Sequence, residues 1–294
     1  MGEFAKEFEG ILRGVVESWK GSLVHIGGPG IPYRTGIVVK EGLAAALARS
    51  ARDGEEVPVV TASGPSTGRV EAWDGESGLI LIRLESGAAP LQSPAVPETG
   101  EGPSIGTPVL RLAFPSSQGI EASFSVVRFA GGPTEWGRRP VPAHFQVDGP
   151  AFPGFLGAPV VDLEGGLRGV VVSNEDGNEG WVLPAGAWRA AVEELAREGS
   201  RRPGRLGIFL APVRLSRDQS RAAGRDSALM VRGVVPGGPA EEAGLQPGDL
   251  ILGADGADLG DGSLPPLRAG TPVALDILRG SERSALPVVP ASRP

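Results

Sequence analysis

The sequence contains no cysteine, and this absence excludes disulfides, thiol nucleophiles and thiolate metal sites together. It contains only two histidines, His25 and His144, which lie too far apart in sequence to form a recognisable zinc-binding pattern. We therefore expect no cofactor and no metal site.

Long apolar runs and an excess of positive charge are also missing. No run reaches the roughly 18 apolar residues that would span a bilayer, so no membrane span is expected. The net charge of −7 and the pI near 5.1 argue against nucleic acid as a partner. The first twenty residues carry acids where a signal peptide has its basic region, which predicts a cytoplasmic location. The alternative is a periplasmic or secreted protein from which a leader has been removed.

Glycine and proline are abundant, at 46 and 28 of 294 residues, and they favour short strands joined by turns. Two sets of about six β-rich runs occupy residues 22–84 and 108–183, and residues 88–105 between them are rich in Pro, Gly, Ser and Glu. This composition is compatible with a pair of six-stranded barrels and equally with a sandwich.

Apolar residues at helical spacing, among them Phe4, Phe8 and Trp19, predict a helix over residues 1–20. Its apolar stripe either packs against its own domain or forms a subunit contact. A second helix is predicted over residues 185–198, and the stretch that follows it is typical of a hinge.

The most informative stretch is residues 146–161, QVDGPAFPGFLGAPVV. It resembles the nucleophile loop Q-T-D-x-x-I-N-P-G-N-S-G-G-P-L-V of trypsin-fold serine proteases of the HtrA/Deg kind. The matching positions are Gln146, Asp148, Pro153, Gly154, Gly157 and Pro159. The resemblance implies a mainly β protein with two six-stranded trypsin-like β-barrels, at about residues 21–91 and 105–184. With the helix at 185–198, they would make one domain over residues 21–199.

The last third of the chain resembles a circularly permuted PDZ domain of the same family. The resemblance is carried by residues 234–256, VVPGGPAEEAGLQPGDLILGADG. It implies a linker at residues 200–205 and a small α+β PDZ domain at residues 206–291.

All three catalytic positions of the family are altered in this chain. The nucleophilic serine falls on Leu156, which has no oxygen to attack a carbonyl, and the histidine falls on Arg49, whose guanidinium stays protonated. The catalytic aspartate falls on Gly78. We therefore expect no catalytic residues, and hence an inactive HtrA-like pseudoprotease, not an enzyme.

Phe152, Phe155 and Leu156 would bring three apolar side chains into a cleft that is normally open to water. We name these three residues the apolar plug and expect them to fill the old site; the rival interpretation is an apolar recognition surface. A second alternative is a serine-type peptidase with relocated catalytic groups, for which His144 is the better placed of the two histidines.

The resemblance also implies a protein or peptide ligand. The candidate peptide-binding residues are Leu206, Gly207, Ile208 and Phe209, which match the apolar-Gly-apolar loop of PDZ domains. The opposite wall of the groove should be a helix, but Pro265 and Pro266 exclude a regular one there. We expect an adaptor, a scaffold or a regulator, with a homotrimer or an active protease relative as candidate partners. A purely structural subunit, associating through the N-terminal helix, is the remaining alternative.

Overall fold

The structure is a computed structural model that describes residues 2–28, 31–48, 50–85, 102–116, 119–137, 139–149, 154–172, 181–259, 263–265 and 267–292. Its contacts divide the chain into two compact units, Met1–Ser200 and Arg201–Pro294. We call them the two-barrel unit and the PDZ unit and describe each by itself.

The first barrel follows an N-terminal helix, α1 (Gly2–Trp19), and a single 3-10 turn, Lys20–Ser22. Its strands are β1 (Leu23–Gly28), β2 (Ile31–Lys40), β3 (Leu43–Leu47), β4 (Glu56–Thr61), β5 (Gly64–Trp73) and β6 (Leu79–Leu84). They close in the antiparallel order β1-β2-β3-β6-β5-β4. Strand β4 alternates exposed and buried residues, as expected where one strand face lines a barrel interior.

The second barrel repeats this closure with strands β11-β14-β13-β12-β7-β8. Their bounds are β7 (Pro108–Ser116), β8 (Gly119–Gly131), β11 (His144–Val147), β12 (Pro159–Val161), β13 (Leu167–Val171) and β14 (Trp181–Pro184). A separate antiparallel hairpin, β9 (Thr134–Trp136) and β10 (Arg139–Val141), is inserted between β8 and β11.

A shared apolar core joins the two barrels to their helices. Helix α2 (Ala185–Glu198) buries Trp188 against Trp136 of the hairpin, with ring centroids 6.0 Å apart. Helix α1 buries Val15 and Trp19 in the same core, and the indole N–H of Trp19 donates to the carbonyl of Gly165 at 2.9 Å. The C-terminal half of α1 therefore packs against its own domain.

The PDZ unit contains a sheet in the order β16-β17-β18-β20-β21, with β19 paired to β18. Its elements are β15 (Gly204–Arg205), β16 (Ile208–Arg214), α3 (Arg217–Ala223), β17 (Ser227–Val234), α4 (Pro239–Glu242), β18 (Leu250–Ala254), β19 (Ala257–Asp258), β20 (Val273–Arg279), β21 (Glu282–Val288) and β22 (Ala291–Ser292). Strand β15, which falls within the expected linker, pairs with β22.

One ion pair ties the loop after α4 to β20. The carboxylate of Asp249 is buried and accepts two hydrogen bonds of 2.7 Å from the guanidinium of Arg279. Burial alone would raise the pKa of Asp249, but the hydrogen bonds from Arg279 and from the Gln246 amide hold it below its usual value. Asp249 therefore stays ionised and holds the loop against the strand.

The predicted fold class is confirmed: the structure has two closed six-stranded barrels followed by a small α+β PDZ-type sheet. Composition had left a sandwich as an equal choice. Closure of both sheets excludes it, because every strand of either barrel has hydrogen-bonded neighbours on both sides.

Candidate functional site

The loop that corresponds to the protease nucleophile loop is fastened to the first barrel. The buried hydroxyl of Thr35, in β2, donates to the carbonyl of Gly154 at 2.7 Å and accepts the amide of Phe114 at 2.8 Å. His25 completes the contact through a ring nitrogen 2.9 Å from the Phe114 carbonyl. Sequence reasoning missed Thr35, since an isolated threonine in a strand carries no signal of a contact so distant in sequence.

Glycines allow the two barrels to approach closely at this loop. Gly154 and Gly157 both have positive φ, at +98° and +84°. A Cβ on Gly157 would lie 2.4 Å from the Thr35 carbonyl oxygen, so only glycine fits there. The loop thus lies directly against β2.

Two members of the apolar plug turn inward. Phe155 is 2% exposed in the core of the second barrel, and Leu156 is half-buried against the core shared by the barrels. Phe152 lies outside the described residues. The described part of the plug therefore packs into the protein interior, fully at Phe155 and partly at Leu156.

Phe155 covers a buried cation. The guanidinium of Arg111, in β7, lies 5.2 Å from the centre of the Phe155 ring and donates to the Ser123 hydroxyl at 3.0 Å. Arg111 is 1% exposed, and burial lowers the pKa of its guanidinium, while the negative charge of Asp148 acts in the opposite direction. The one available signal was an arginine within the otherwise apolar run VLRLAF, residues 109–114.

The backbone at Gly78, the position matching the catalytic aspartate, has φ of +76°. Its carbonyl accepts the amide of Ala48 at 2.7 Å, and a Cβ on Gly78 would lie 2.9 Å from the Ala48 carbonyl oxygen. An aspartate side chain would therefore be strained there. Arg49, the residue at the histidine position, lies outside the described residues.

Asp74, the acid that the sequence retains in this loop, is already engaged. Its buried carboxylate accepts hydrogen bonds from the Ser77 hydroxyl at 2.7 Å and from the Glu76 amide at 3.1 Å. Arg139 approaches the same carboxylate at 3.4 Å and also pairs with Glu194 of α2. This set of contacts fixes the loop, the hairpin and α2 together.

His144 lies on the outer face of the second barrel. Its ring stacks on Trp181 with centroids 4.2 Å apart, and Nδ1 lies 3.1 Å from the Gly132 carbonyl. None of the described contacts of His144 is to a serine, a threonine or a carboxylate. These described contacts do not place His144 beside a nucleophile that it could activate as a general base.

In the PDZ unit, two of the four candidate peptide-binding residues, Leu206 and Gly207, form a turn, and the other two, Ile208 and Phe209, begin β16. Gly207 has φ of +72°, and its carbonyl accepts the Val235 amide at 2.8 Å, while the Leu206 carbonyl accepts the Ala240 amide at 2.9 Å. Among the described residues, no backbone acceptor is hydrogen-bonded to the amides of Leu206 and Gly207. Two adjacent amides in such a turn are suited to binding a carboxylate.

Side chains around this turn differ in exposure. Leu206 is buried in the core of the unit and Ile208 packs against it, whereas Phe209 is 63% exposed. The helical wall of a PDZ groove, which Pro265 and Pro266 were predicted to exclude, is missing from the described residues between Asp258 and Val273. Leu264 and Leu267 in this span pack against the same core.

Two negative findings apply to the described residues only. No group of three or more His, Cys, Asp or Glu side chains is arranged to hold a metal ion. No helix among them is long and apolar enough to cross a membrane.

Two closed barrels, a C-terminal helix and a PDZ-type sheet define the trypsin-like fold of HtrA-type proteins. A PDZ domain family model matches residues 230–285. The crystal structure of the serine endoprotease from Yersinia pestis superposes with a TM-score of 0.61 at 20% identity, covering 95% of this chain and 97% of that one.

Curated relatives agree with this assignment of the fold. The chain is 24% identical over 269 residues to a probable periplasmic serine endoprotease DegP-like from Chlamydia trachomatis, covering 86% of this chain and 53% of the relative. It is 29% identical over 177 residues to Protease Do-like 1, chloroplastic, from Arabidopsis thaliana, covering 53% of this chain and 39% of the relative. The chain thus spans about half or less of the length of these relatives. The periplasmic name does not support the expected cytoplasmic location and agrees with the alternative.

Proposed function

We propose that this chain is a catalytically inactive HtrA-like pseudoprotease that binds proteins or peptides as an adaptor, a scaffold or a regulator of an active relative. The observation that carries the proposal is the closed loop at Gly154–Gly157, where Leu156 stands at the nucleophile position and Phe155 is buried beside it. A trypsin-fold protease needs a serine hydroxyl exposed to substrate and a histidine beside it. Leucine supplies no such hydroxyl, and Gly78 supplies no carboxylate to orient a histidine.

The relatives reported above are named as proteases, so proteolytic activity is the property to test first. We expect the purified full-length chain to take up no fluorophosphonate label and to degrade no casein, because no serine stands at the nucleophile position. Trypsin at equal concentration serves as the positive control. Labelling or casein cleavage that persists through purification would overturn the proposal, and His144→Ala would then test the peptidase alternative.

Peptide binding is proposed for the PDZ unit. Its support is the pair of amides at Leu206 and Gly207, which donate to no backbone acceptor among the described residues and lie next to the edge strand β16. A C-terminal carboxylate can accept from these amides while the peptide backbone pairs with β16. The proposed domain limits of 206–291 contain both of these amides and the whole of β16.

We further propose that the N-terminal half of α1 makes a subunit contact in a homotrimer. Phe4 is 72% exposed and stacks on Phe8, whose ring meets the 48% exposed ring of Phe124 edge-on at 5.5 Å. These three rings form an aromatic surface at the N-terminal half of α1, outside the buried core of the domain.

Light scattering on the full-length chain tests the trimer. We expect a mass near three times the chain mass of 30.2 kDa, and a fall to one chain mass in the variant Phe4→Ser/Phe8→Ser. Phe129→Ser, at a comparably exposed ring on the second barrel, is the matched control and should leave the mass unchanged. A single-chain mass for the unchanged protein would refute the proposed assembly.

The remaining proposals concern organisation and location. We propose the limits 1–20 for the N-terminal helix, 21–199 for the two-barrel domain and 200–205 for the linker. The periplasmic name of the Chlamydia relative favours a location outside the cytoplasm. Fractionation of cells that express the natural gene would test this location.

A further inference from the structure

Strand β16 is one of the two edge strands of the PDZ sheet, and among the described residues it pairs only with β17. In an antiparallel pair, each residue points its N–H and C=O either toward the partner strand or away from it. The amide and carbonyl of Val231, opposite Leu210, are bonded to Asp249 and Gly248 on the other side of β17. Leu210 therefore points its backbone groups to the open edge.

The backbone groups of Ile208 and Pro212 also point to the open edge. The Val235 amide donates to the Gly207 carbonyl, so the backbone groups of Gly207 point toward β17. Because this direction alternates along a strand, the N–H and C=O of the next residue, Ile208, point away from β17 to the open edge. Pro212 is two residues beyond Leu210 on the same strand and faces outward too. The edge thus offers the N–H and C=O of Ile208 and Leu210, and then the C=O of Pro212 alone, because proline has no N–H.

The segment around Leu267 and Ala269, where other PDZ domains have the helical wall, is held in a non-helical conformation by backbone hydrogen bonds. The Leu267 carbonyl accepts the Gly204 amide at 2.6 Å, and the Ala269 amide donates to the Arg202 carbonyl at 2.9 Å. These bonds hold the segment that replaces the helical wall against the start of the PDZ unit. A bound peptide would consequently depend mainly on its backbone pairing with β16.

We infer that Pro212 limits the backbone pairing of this edge with an extended C-terminal segment to about the last four residues of that segment. The inference rests on the proposed peptide binding. With the ligand carboxylate at Leu206–Gly207, successive ligand residues that pair with β16 are two apart and meet Ile208, Leu210 and Pro212 in turn. Opposite Pro212 the ligand N–H can still donate to the Pro212 carbonyl, but the ligand carbonyl finds no donor, so this residue and those further from the carboxylate add little affinity.

The test is a series of fluorescein-labelled peptides of three, four, six and eight residues, built from Ser and Ala and ending in Leu with a free carboxylate. Binding to the full-length protein is measured by fluorescence anisotropy. We expect affinity to rise up to four residues and then to stay constant. In Pro212→Ala, which restores the missing N–H, the six- and eight-residue peptides should bind about 2- to 10-fold more tightly, and the three-residue peptide should be unaffected.

Pro287→Ala is the matched control, since Pro287 is an exposed proline on β21, the other edge strand of the sheet. It should leave every affinity unchanged, and thermal melting should show that both variants fold. Equal length dependence in the parent and in Pro212→Ala would overturn the role of Pro212 and leave peptide binding intact. Absence of binding by every peptide, or equal binding of C-terminally amidated peptides, would instead overturn the proposed carboxylate site and the inference with it.

Discussion

Placing the protease family's catalytic residues at the three positions proposed to match them, in the variant Arg49→His/Gly78→Asp/Leu156→Ser, is expected to give no proteolysis and a chain at least about 3 kcal/mol less stable. The cost has two sources. Aspartate at Gly78 must adopt a φ of +76° and place its Cβ 2.9 Å from the Ala48 carbonyl oxygen. Serine at position 156 removes a leucine side chain that packs against the shared core. Urea unfolding and casein cleavage measure the two outcomes.

Two single substitutions, Gly78→Asp and Gly54→Asp, separate the cost of backbone strain at Gly78 from the cost of the steric contact with Ala48. Gly54 has nearly the same φ, +77°, but an added Cβ there would meet nothing within 4 Å. Gly54→Asp is therefore the matched control and should cost about 1–2 kcal/mol, whereas Gly78→Asp should cost more. Equal costs would show that the contact with Ala48 relaxes freely. Proteolysis by the triple variant would show that the loops can rearrange into an active site, against the proposed closure.

Removing the ring of Phe155 is expected to lower the free energy of unfolding by about 3–5 kcal/mol. Phe155→Ala leaves a cavity in the core of the second barrel and takes away the aromatic face beside the Arg111 guanidinium. That cation is 1% exposed, so the space left by the ring would adjoin a buried charge. Urea unfolding of the full-length chain, followed by tryptophan fluorescence, gives the measurement.

Phe129→Ala is the control for this prediction, because Phe129 lies in the same barrel with its ring 43% exposed and outside the proposed subunit contact. Its loss should cost under about 1 kcal/mol, since little area is removed from the core. Phe155→Leu should recover part of the stability by refilling the cavity. A cost below about 1 kcal/mol for Phe155→Ala would mean that the plug contributes no packing and that the loop is open in solution.

The fold could be predicted from the sequence because two local motifs define it. The nucleophile-loop frame around Gly154 and Gly157 depends on glycine conformations, and both glycines have positive φ in the structure. The run at 234–256 combines a proline that begins a short helix with glycines at turns, and the structure places α4 and β18 within it. Such signals are local, so one sequence is enough to find them.

Contacts between distant segments could not be predicted in the same way. The sequence shows an arginine within the apolar run at 109–114, but it does not show that this arginine lies against Phe155 and Ser123. The hairpin β9–β10 was not predicted, because its two three-residue strands are too short for a periodic pattern. The pairing of β15 with β22 joins segments almost ninety residues apart, as the register Gly204 to Ser292 shows.

The two outer strands of the PDZ sheet each carry a proline, Pro212 in β16 and Pro287 in β21. An unpaired strand is a template on which another chain, including a misfolded neighbour, can extend the sheet without limit. A missing N–H and the bulk of the pyrrolidine ring interrupt such growth at both ends. The ring that shortens the proposed peptide ladder is therefore also expected to hinder aggregation along the edge that the proposed ligand would use.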